Sequence, residues 1–143
     1  MTSIQIPDSV TSIGKWAFAG CGRLTEINIP DGVMSIGDAA FSGCGSLTEI
    51  RIPDGVTSIG AQMFYYCDEL VDVRLPDGVT SIGKAAFFGC ERLMSIQLPD
   101  SLTCIGDEVF TQCSWLSEIE IPDGVTSIGE YAFMRCYDLW RVK

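Results

Sequence analysis

Cysteine is the residue of this chain with the widest chemical range, and six of the seven cysteines recur at one fixed interval. The six lie 23 residues apart, at Cys21, Cys44, Cys67, Cys90, Cys113 and Cys136. Thiols in such a series could hold a metal, form disulfides or sense oxidants. Each, however, lies three residues after a phenylalanine and three before a leucine, where a small buried apolar group is expected. No CxxC pair or second ligand type accompanies them, so we expect a column of core residues without a metal or cofactor.

The seventh cysteine, Cys104, stands where the other repeats carry serine, in a column predicted to face outward beside a buried isoleucine. Two interpretations are open. Cys104 is a reactive thiol able to form an intermolecular disulfide, or it is a tolerated replacement for serine. The second is favoured, because only one repeat carries the thiol.

Six aspartates also recur at this interval, at Asp8, Asp31, Asp54, Asp77, Asp100 and Asp123. Stacked about 4.8 Å apart, neighbouring carboxylates repel each other by about 1 kcal/mol even in water. Cations should therefore concentrate along them. A calcium site needs a closed cage of oxygen ligands, which this column does not supply. We expect these aspartates to form turns.

The composition argues against several classes of function. The chain contains no histidine, which removes Ser–His and Cys–His nucleophile pairs and histidine acid–base chemistry. Its net charge of −10 repels phosphate backbones and anionic lipids, so nucleic acid is not an expected partner. No apolar run approaches the roughly 18 residues that a membrane-spanning helix needs, so membrane insertion is not expected. We predict a protein that is not an enzyme.

Proline shows the same period and identifies the architecture. All six prolines are 23 residues apart, at Pro7, Pro30, Pro53, Pro76, Pro99 and Pro122. A period sustained this often indicates stacked repeats that cannot bury their apolar residues alone. We predict one solenoid domain over residues 1–143, with six rungs starting near residues 1, 24, 47, 70, 93 and 116 and a last strand over 139–143.

Each rung is predicted to begin with a strand and a tight turn. In the second rung Ile27 and Ile29 are two residues apart, as one face of a strand requires. The following Pro30-Asp31-Gly32 predicts the turn, because proline presets φ and glycine tolerates positive φ.

A second extended piece and a compact turn complete the rung. Val33 and Ile36 indicate another short strand. Residues 38–44 then predict a single helical or 3₁₀ turn, with Phe41 and Cys44 three residues apart on one side.

The segment LTEINIPDGVMSIGDAAFSGC, residues 24–44, and its five counterparts closely resemble the BspA-like class of leucine-rich repeats. The resemblance covers essentially the whole chain. It implies an α/β leucine-rich-repeat solenoid of short parallel strands and short helical or 3₁₀ turns, with no evident caps. Proteins of this class are typically surface proteins implicated in adhesion to host or matrix proteins, which would imply a cell-surface or secreted location. The first residues, however, lack the pattern of a signal peptide.

Large aromatic residues outside the core columns are the best candidates for a binding surface. Six of the fourteen aromatics form an inward column of phenylalanines, at Phe18, Phe41, Phe64, Phe87, Phe110 and Phe133. Seven others lie in variable columns, and we predict that they bind a protein partner: Trp16, Tyr65, Tyr66, Phe88, Trp115, Tyr131 and Tyr137. The alternative, equally open, is that these rings only cover the turns. The eighth, Trp140, falls in the predicted last strand.

The face of the front strands carries mixed charges. Glu49 with Arg51, and Asp72 with Arg74, are spaced two apart on one strand face. We expect each pair to neutralise itself in part and see no convergent set of carboxylates.

Both ends of the chain fall in the same phase of the repeat, inside a predicted strand. Uncapped ends would leave unpaired backbone groups and apolar core side chains. The chain is then part of a longer array, an engineered repeat, or a subunit that stacks head to tail into oligomers or filaments. The residues expected to carry such stacking are Ile4, Gln5, Ile6, Leu139, Trp140, Arg141 and Val142.

Overall fold

A computed structural model describes residues 2–143 as six stacked rungs with twelve short strands. Met1, the predicted start of the first rung, lies outside the described residues. The strands are β1 (Ser3–Gln5), β2 (Ser12–Ile13), β3 (Glu26–Asn28), β4 (Ser35–Ile36), β5 (Glu49–Arg51), β6 (Ser58–Ile59), β7 (Asp72–Arg74), β8 (Ser81–Ile82), β9 (Cys104–Ile105), β10 (Glu118–Ile119), β11 (Ser127–Ile128) and β12 (Arg141–Val142). The predicted parallel-strand solenoid is confirmed.

The strands lie in two rows. The front row contains β1, β3, β5, β7, β10 and β12, and its hydrogen bonds join only three separate pairs, β1–β3, β5–β7 and β10–β12. In the back row, β6, β8, β9 and β11 form a continuous four-stranded sheet, and β2 pairs with β4. All pairs are parallel, and partners differ by one repeat, as Ser3 opposite Glu26 shows. The last strand is shorter than predicted and excludes Trp140.

Each proline turn is closed by a hydrogen bond to the proline carbonyl, and the turn glycines Gly32 and Gly55 do not adopt the positive φ invoked for them. Val33 N–H donates to Pro30 O at 3.1 Å, and Val56 N–H donates to Pro53 O at the same distance. The proline lacks an N–H, so at the first position of the turn it leaves no donor of its own unsatisfied.

The predicted helical or 3₁₀ turn over residues 38–44 is not confirmed, and no helix occurs among residues 2–143. Backbone N–H groups in this segment alternate between two kinds of acceptor. Ala40 N–H donates within the rung to Gly37 O at 3.3 Å, whereas Ala39 N–H donates to Ala61 O of the next rung at 2.9 Å. Half of the donors are thus used for stacking, and a helix cannot propagate.

Left-handed backbone conformations account for this alternation. They occupy two columns, each named here after its residue in the first repeat, with φ between 53° and 76°. The Trp16 column contains Trp16, Ala39, Gln62, Ala85, Glu108 and Tyr131. The Gly20 column contains Gly20, Gly43, Tyr66, Gly89, Gln112 and Arg135. A left-handed residue reverses the chain direction locally, so the segment forms successive turns instead of a helix.

The core is one cluster in which equivalent residues stack along the solenoid. Successive phenylalanine rings from Phe18 to Phe133 stack with centroids 5.3–5.7 Å apart. The isoleucine column is buried from Ile13 to Ile105, but Ile128 in the sixth rung is 49% exposed. Each rung therefore buries the apolar side chains of its neighbour.

The stretch 2–143 contains no helix long and apolar enough to cross a membrane.

Candidate protein-binding surface

The regularly spaced thiols are packed into the core as predicted. Cys44, Cys67, Cys90 and Cys113 are fully buried, and all the cysteines are free thiols. Each thiol after the first rung donates a hydrogen bond to a phenylalanine carbonyl of the preceding rung, as Cys90 Sγ does to Phe64 O at 3.2 Å. The column therefore has a structural role in joining adjacent rungs.

Burial makes these thiols poor nucleophiles. Desolvation raises the pKa of Cys44 and of Cys136 to about 11. It also raises the pKa of Cys67, Cys90 and Cys113. Since the thiolate is the reactive form, the column is suited to packing and not to redox or covalent chemistry.

Cys104 lies in a different environment. It is half-buried in β9, with Ser81 and Ser127 as its neighbours in the back sheet. Both interpretations of this thiol are therefore compatible with its position.

The aspartates of the turns are exposed, and Arg51 binds two of them. Arg51 Nη1 is 2.9 Å from Asp31 Oδ1, and Nη2 is 3.8 Å from Asp54 Oδ1. The expectation that Arg51 neutralises Glu49 is therefore wrong, because its guanidinium reaches past the strand to two carboxylates of the turn column. Asp72 and Arg74 do pair, at 3.4 Å.

Polar grooves run along the front row. One of about 500 Å³ lies beside β1, β3, β5 and β7, and a second of similar volume lies beside residues 95–100. Within residues 2–143, no three His, Cys, Asp or Glu side chains are grouped so as to hold a metal ion. The grooves offer polar contacts but no convergent catalytic set.

Of the seven aromatic residues predicted to bind a partner, the structure brings three together. The rings of Tyr65 and Tyr66 are 4.6 Å apart between centroids, and those of Tyr65 and Phe88 are 5.0 Å apart. Tyr65 and Phe88 are half-buried, whereas Tyr66 is 41% exposed. Much of this cluster is used in contacts between its own rings.

Two more of the seven are exposed but isolated from each other. Trp16 and Tyr131 occupy equivalent left-handed positions in the first and sixth rungs, with exposures of 58% and 62%. They are five rungs apart in the same column, so one small partner segment does not reach both.

The remaining two, Trp115 and Tyr137, belong to a larger apolar surface at the corner that precedes the front strands. We call this surface the edge patch. Its members are 42–77% exposed: Val71, Met94 and Trp140 share one column, Trp115 lies two residues before that column, and Tyr137 lies three residues before it. Backbone hydrogen bonds stack this corner, as Ser117 N–H donates to Met94 O at 3.1 Å and Trp140 N–H to Ser117 O at 3.0 Å.

Sequence reasoning missed Val71 and Met94 as candidate binding residues. The available signal was a change along one column, which reads Thr2, Thr25, Thr48, Val71, Met94, Ser117 and Trp140. Threonine in the first three rungs gives way to Val71, Met94 and Trp140, with Ser117 as the one polar residue among them. Because these positions are equivalent in successive repeats, the switch identifies an exposed apolar stripe that Ser117 interrupts.

Arg92 fixes the orientation of Trp115. Its guanidinium lies 5.5 Å from the centroid of the Trp115 ring, and its Nη1 is 2.8 Å from Glu69 Oε2. The three side chains are equivalent residues of successive rungs. Holding the indole in one orientation lowers the entropy that a binding partner would have to remove.

The residues predicted to carry end-to-end stacking differ in exposure. Trp140 and Val142 are 73% and 55% exposed, whereas Ile6 is only 7% exposed. The buried side chain of Ile6 is therefore not available for stacking, and only its backbone could take part. Arg141 lies 4.0 Å from Glu118.

Solved structures with this fold come from bacteria. The leucine-rich repeat protein of T. pallidum superposes with a TM-score of 0.94 at 29% identity, over 99% of this chain and 68% of that one. A leucine-rich repeat protein of Bacteroides ovatus gives a TM-score of 0.88 at 42% identity, over 91% of this chain and 34% of that one. The pneumococcal vaccine antigen PcpA shares the fold, with a TM-score of 0.70 at 20% identity, over 99% of this chain and 50% of that one.

No curated protein matches the sequence. The model of the BspA type leucine-rich repeat region matches six copies of the repeat, over residues 1–93 and 57–143, and together these matches span the chain. The chain belongs to the BspA-type leucine-rich repeat family.

Proposed function

We propose that this chain is a non-enzymatic binding module of adhesive type that contacts a protein partner through the edge patch. The observation that carries the proposal is the grouping of five large apolar side chains, each 42–77% exposed, in three neighbouring columns at the corner before the front strands. Exposed apolar residues grouped in this way, unlike ones scattered singly, often mark a site of protein–protein interaction. The repeat scaffold of the family is typical of protein-binding and adhesion proteins.

The chemistry of the patch supports this choice over the other aromatic positions. Tryptophan, tyrosine and methionine supply large contact areas with few rotatable bonds or with adaptable shape, and the first two are enriched among hot-spot residues. Arg92 already orders Trp115. By contrast, the Tyr65, Tyr66 and Phe88 rings contact each other, which lowers the apolar area that they can offer.

The proposal is tested with two double variants, each of which removes two exposed aromatic rings. Trp115→Ser/Trp140→Ser removes the indoles of the edge patch, and Trp16→Ser/Tyr131→Ser removes two rings of similar exposure from another column. Binding to purified collagen, laminin and serum proteins is measured by surface plasmon resonance. We expect the first variant to lose at least tenfold in affinity and the second to bind as the wild type does. Retention of affinity by the first variant, or no binding by the wild type, would refute the proposal.

A second proposal is that the 143-residue chain assembles end to end. The backbone hydrogen bonds between rungs have a direction. The outer faces of the first and last rungs are therefore complementary. In interior rungs the N–H of the Trp16 column donates to the next rung, as Trp16 does to Asp38 O at 3.1 Å. Among the described residues, Tyr131 and Arg135 N–H make no such bond, and the Lys15 and Ala17 carbonyls accept none.

Light scattering across a concentration series tests this second proposal. Stacking of Ile4 and Gln5 of one copy against Leu139, Trp140, Arg141 and Val142 of another predicts a mass that rises with concentration. A monomer mass at every concentration contradicts it. The same measurement on Val142→Asp separates stacking from other association, because the 55% exposed Val142 side chain lies on the face that would be covered.

A further inference from the structure

The edge patch is bordered by charged residues, and their pairing shows which charge its occupant must carry. Three basic side chains along this border are held by carboxylates. Arg92 contacts Glu69 at 2.8 Å, Arg74 contacts Asp72 at 3.4 Å, and Arg141 contacts Glu118 at 4.0 Å. These cations are therefore partly neutralised, whereas Lys143, and Arg135 two residues before Tyr137, take part in no ion pair among the described residues.

Four carboxylates in or next to the columns of the patch form what we call the acidic rim: Asp68, Glu91, Glu120 and Asp138. None of the four takes part in an ion pair within residues 2–143. The repeat register places three of them beside the patch, because Asp138 follows Trp115 in one column and Asp68 and Glu91 precede Tyr137 in another. Backbone hydrogen bonds join these columns between rungs. Trp115 N–H donates to Glu91 O at 3.1 Å, and Arg92 N–H donates to Asp68 O at 3.3 Å.

The titration of Asp68 indicates that negative potential concentrates at this corner. Partial desolvation raises the pKa of Asp68, and repulsion from Glu91 and Glu69 raises it further. When neighbouring charges disfavour the ionised form of a carboxyl group, an approaching cation stabilises that form.

We propose that the edge patch binds a polypeptide segment in which aliphatic or aromatic residues are flanked by lysine or arginine. Its apolar side chains pack on Met94, Trp115 and Trp140, and its cations meet the acidic rim. This inference rests on the function proposed above and adds the chemical class of the partner. A second copy of the chain is a poor occupant of this lateral surface, because its net charge of −10 would face the acidic rim.

Synthetic peptides provide the probe, and charge is the variable. The acetylated and amidated peptide Lys-Lys-Phe-Leu-Lys-Lys is compared with Glu-Glu-Phe-Leu-Glu-Glu and Ser-Ser-Phe-Leu-Ser-Ser by fluorescence polarisation, each carrying the same dye. We expect the basic peptide to bind at least tenfold more tightly than the neutral one and the acidic peptide not to bind. Raising the salt concentration from 0.05 to 0.5 M should lower the affinity for the basic peptide severalfold, since exposed charges are screened.

Two matched charge variants locate the effect. Glu91→Gln/Asp138→Asn removes two rim charges, and Asp8→Asn/Asp123→Asn removes two exposed turn charges elsewhere. Both change the net charge equally. The rim variant should bind the basic peptide about fivefold more weakly than the wild type does, as expected for rim charges at an interface. The turn variant should lose less than twofold in affinity.

The results separate this inference from the proposed function. If the three peptides bind the wild type alike and none binds the Trp115→Ser/Trp140→Ser variant, the patch is a binding site but the charge assignment is wrong. If the basic peptide binds equally well to that tryptophan variant, the location is wrong as well. Equal weakening by the rim and turn variants would show attraction by net charge alone and would also overturn the inference.

Discussion

The ring of Tyr66 lies in the space that a side chain at Gly89 would need. A Cβ atom built on Gly89 would come within 2.5 Å of Tyr66 Cδ1 and 2.8 Å of Tyr66 Cε1. Gly89 also has a φ of +74°, which strains any other residue. The absence of a side chain at Gly89 therefore allows Tyr66 to pack against Phe88 at 5.6 Å between ring centroids.

Gly89→Ala should therefore destabilise the protein more than the same change at Gly43. Gly43 has the same φ of +74°, but its added Cβ would meet only ordinary contacts at 3.6 Å. We expect Gly43→Ala to cost about 1 kcal/mol from backbone strain and Gly89→Ala to cost about 1–3 kcal/mol more from steric overlap. Urea unfolding measures both, and equal losses would show that Tyr66 moves aside freely.

Alkaline pH should unfold the protein because of its buried thiols. A thiol in the unfolded chain ionises near pH 9, whereas folding raises the pKa of Cys44 and Cys136 to about 11. Between these values the folded state binds more protons, so stability falls as pH rises, by about 1.4 kcal/mol per pH unit for each such thiol. Stability should be unaffected by these groups below pH 8.

Urea midpoints measured at pH 8, 9, 10 and 11 check this expectation. Cys44→Ala supplies the control, because it lacks one of the titrating thiols and should show a shallower decline. A wild-type midpoint that does not change up to pH 11 would contradict the burial of the column.

The contact of Arg92 with Trp115 should be measurable as a coupling energy. Cation–π contacts at exposed sites contribute about 0.5–1 kcal/mol. In a double-mutant cycle of Arg92→Ala and Trp115→Leu we expect a coupling of this size. The parallel cycle of Arg92→Ala with Glu69→Gln measures the exposed ion pair, for which we expect less than about 1 kcal/mol that decreases in salt. No coupling between Arg92 and Trp115 would mean that the indole is not held by the guanidinium.

The repeat spacing was sufficient to predict the architecture, the parallel register and the inward columns. Phe41 and Cys44 are buried as expected, because an apolar residue recurring in phase through every rung has to face the shared core. The edge patch was recognised only in part. Val71 and Met94 are single apolar residues in a mostly polar column, and their significance depends on the neighbouring rungs stacking them with Trp115 and Trp140.

The turn segment could not be predicted, because the left-handed residues of the Trp16 column carry no distinctive side chain. Left-handed conformation usually selects glycine or asparagine, yet Ala39, Gln62 and Glu108 adopt it here. Their N–H groups are directed to the next rung, as Glu108 N–H is to Glu130 O at 2.8 Å. Hydrogen bonding between rungs thus overrides the local preference, and the spacing of Phe41 and Cys44 alone resembles a helical turn.

A pair of alanine substitutions tests the left-handed turn directly. Ala39 and Ala40 are adjacent and both buried, at 1% and 0% exposure, but only Ala39 has a positive φ, of 56°. Replacing either with glycine removes the same buried methyl group. Glycine also relieves left-handed strain at Ala39, which is about 1–2 kcal/mol for an L-residue, but relieves nothing at Ala40. Ala39→Gly should therefore be about 1–2 kcal/mol more stable than Ala40→Gly in urea unfolding. A helix over residues 38–44 would instead make the two substitutions cost nearly the same, because glycine weakens any interior helical position by about 1 kcal/mol.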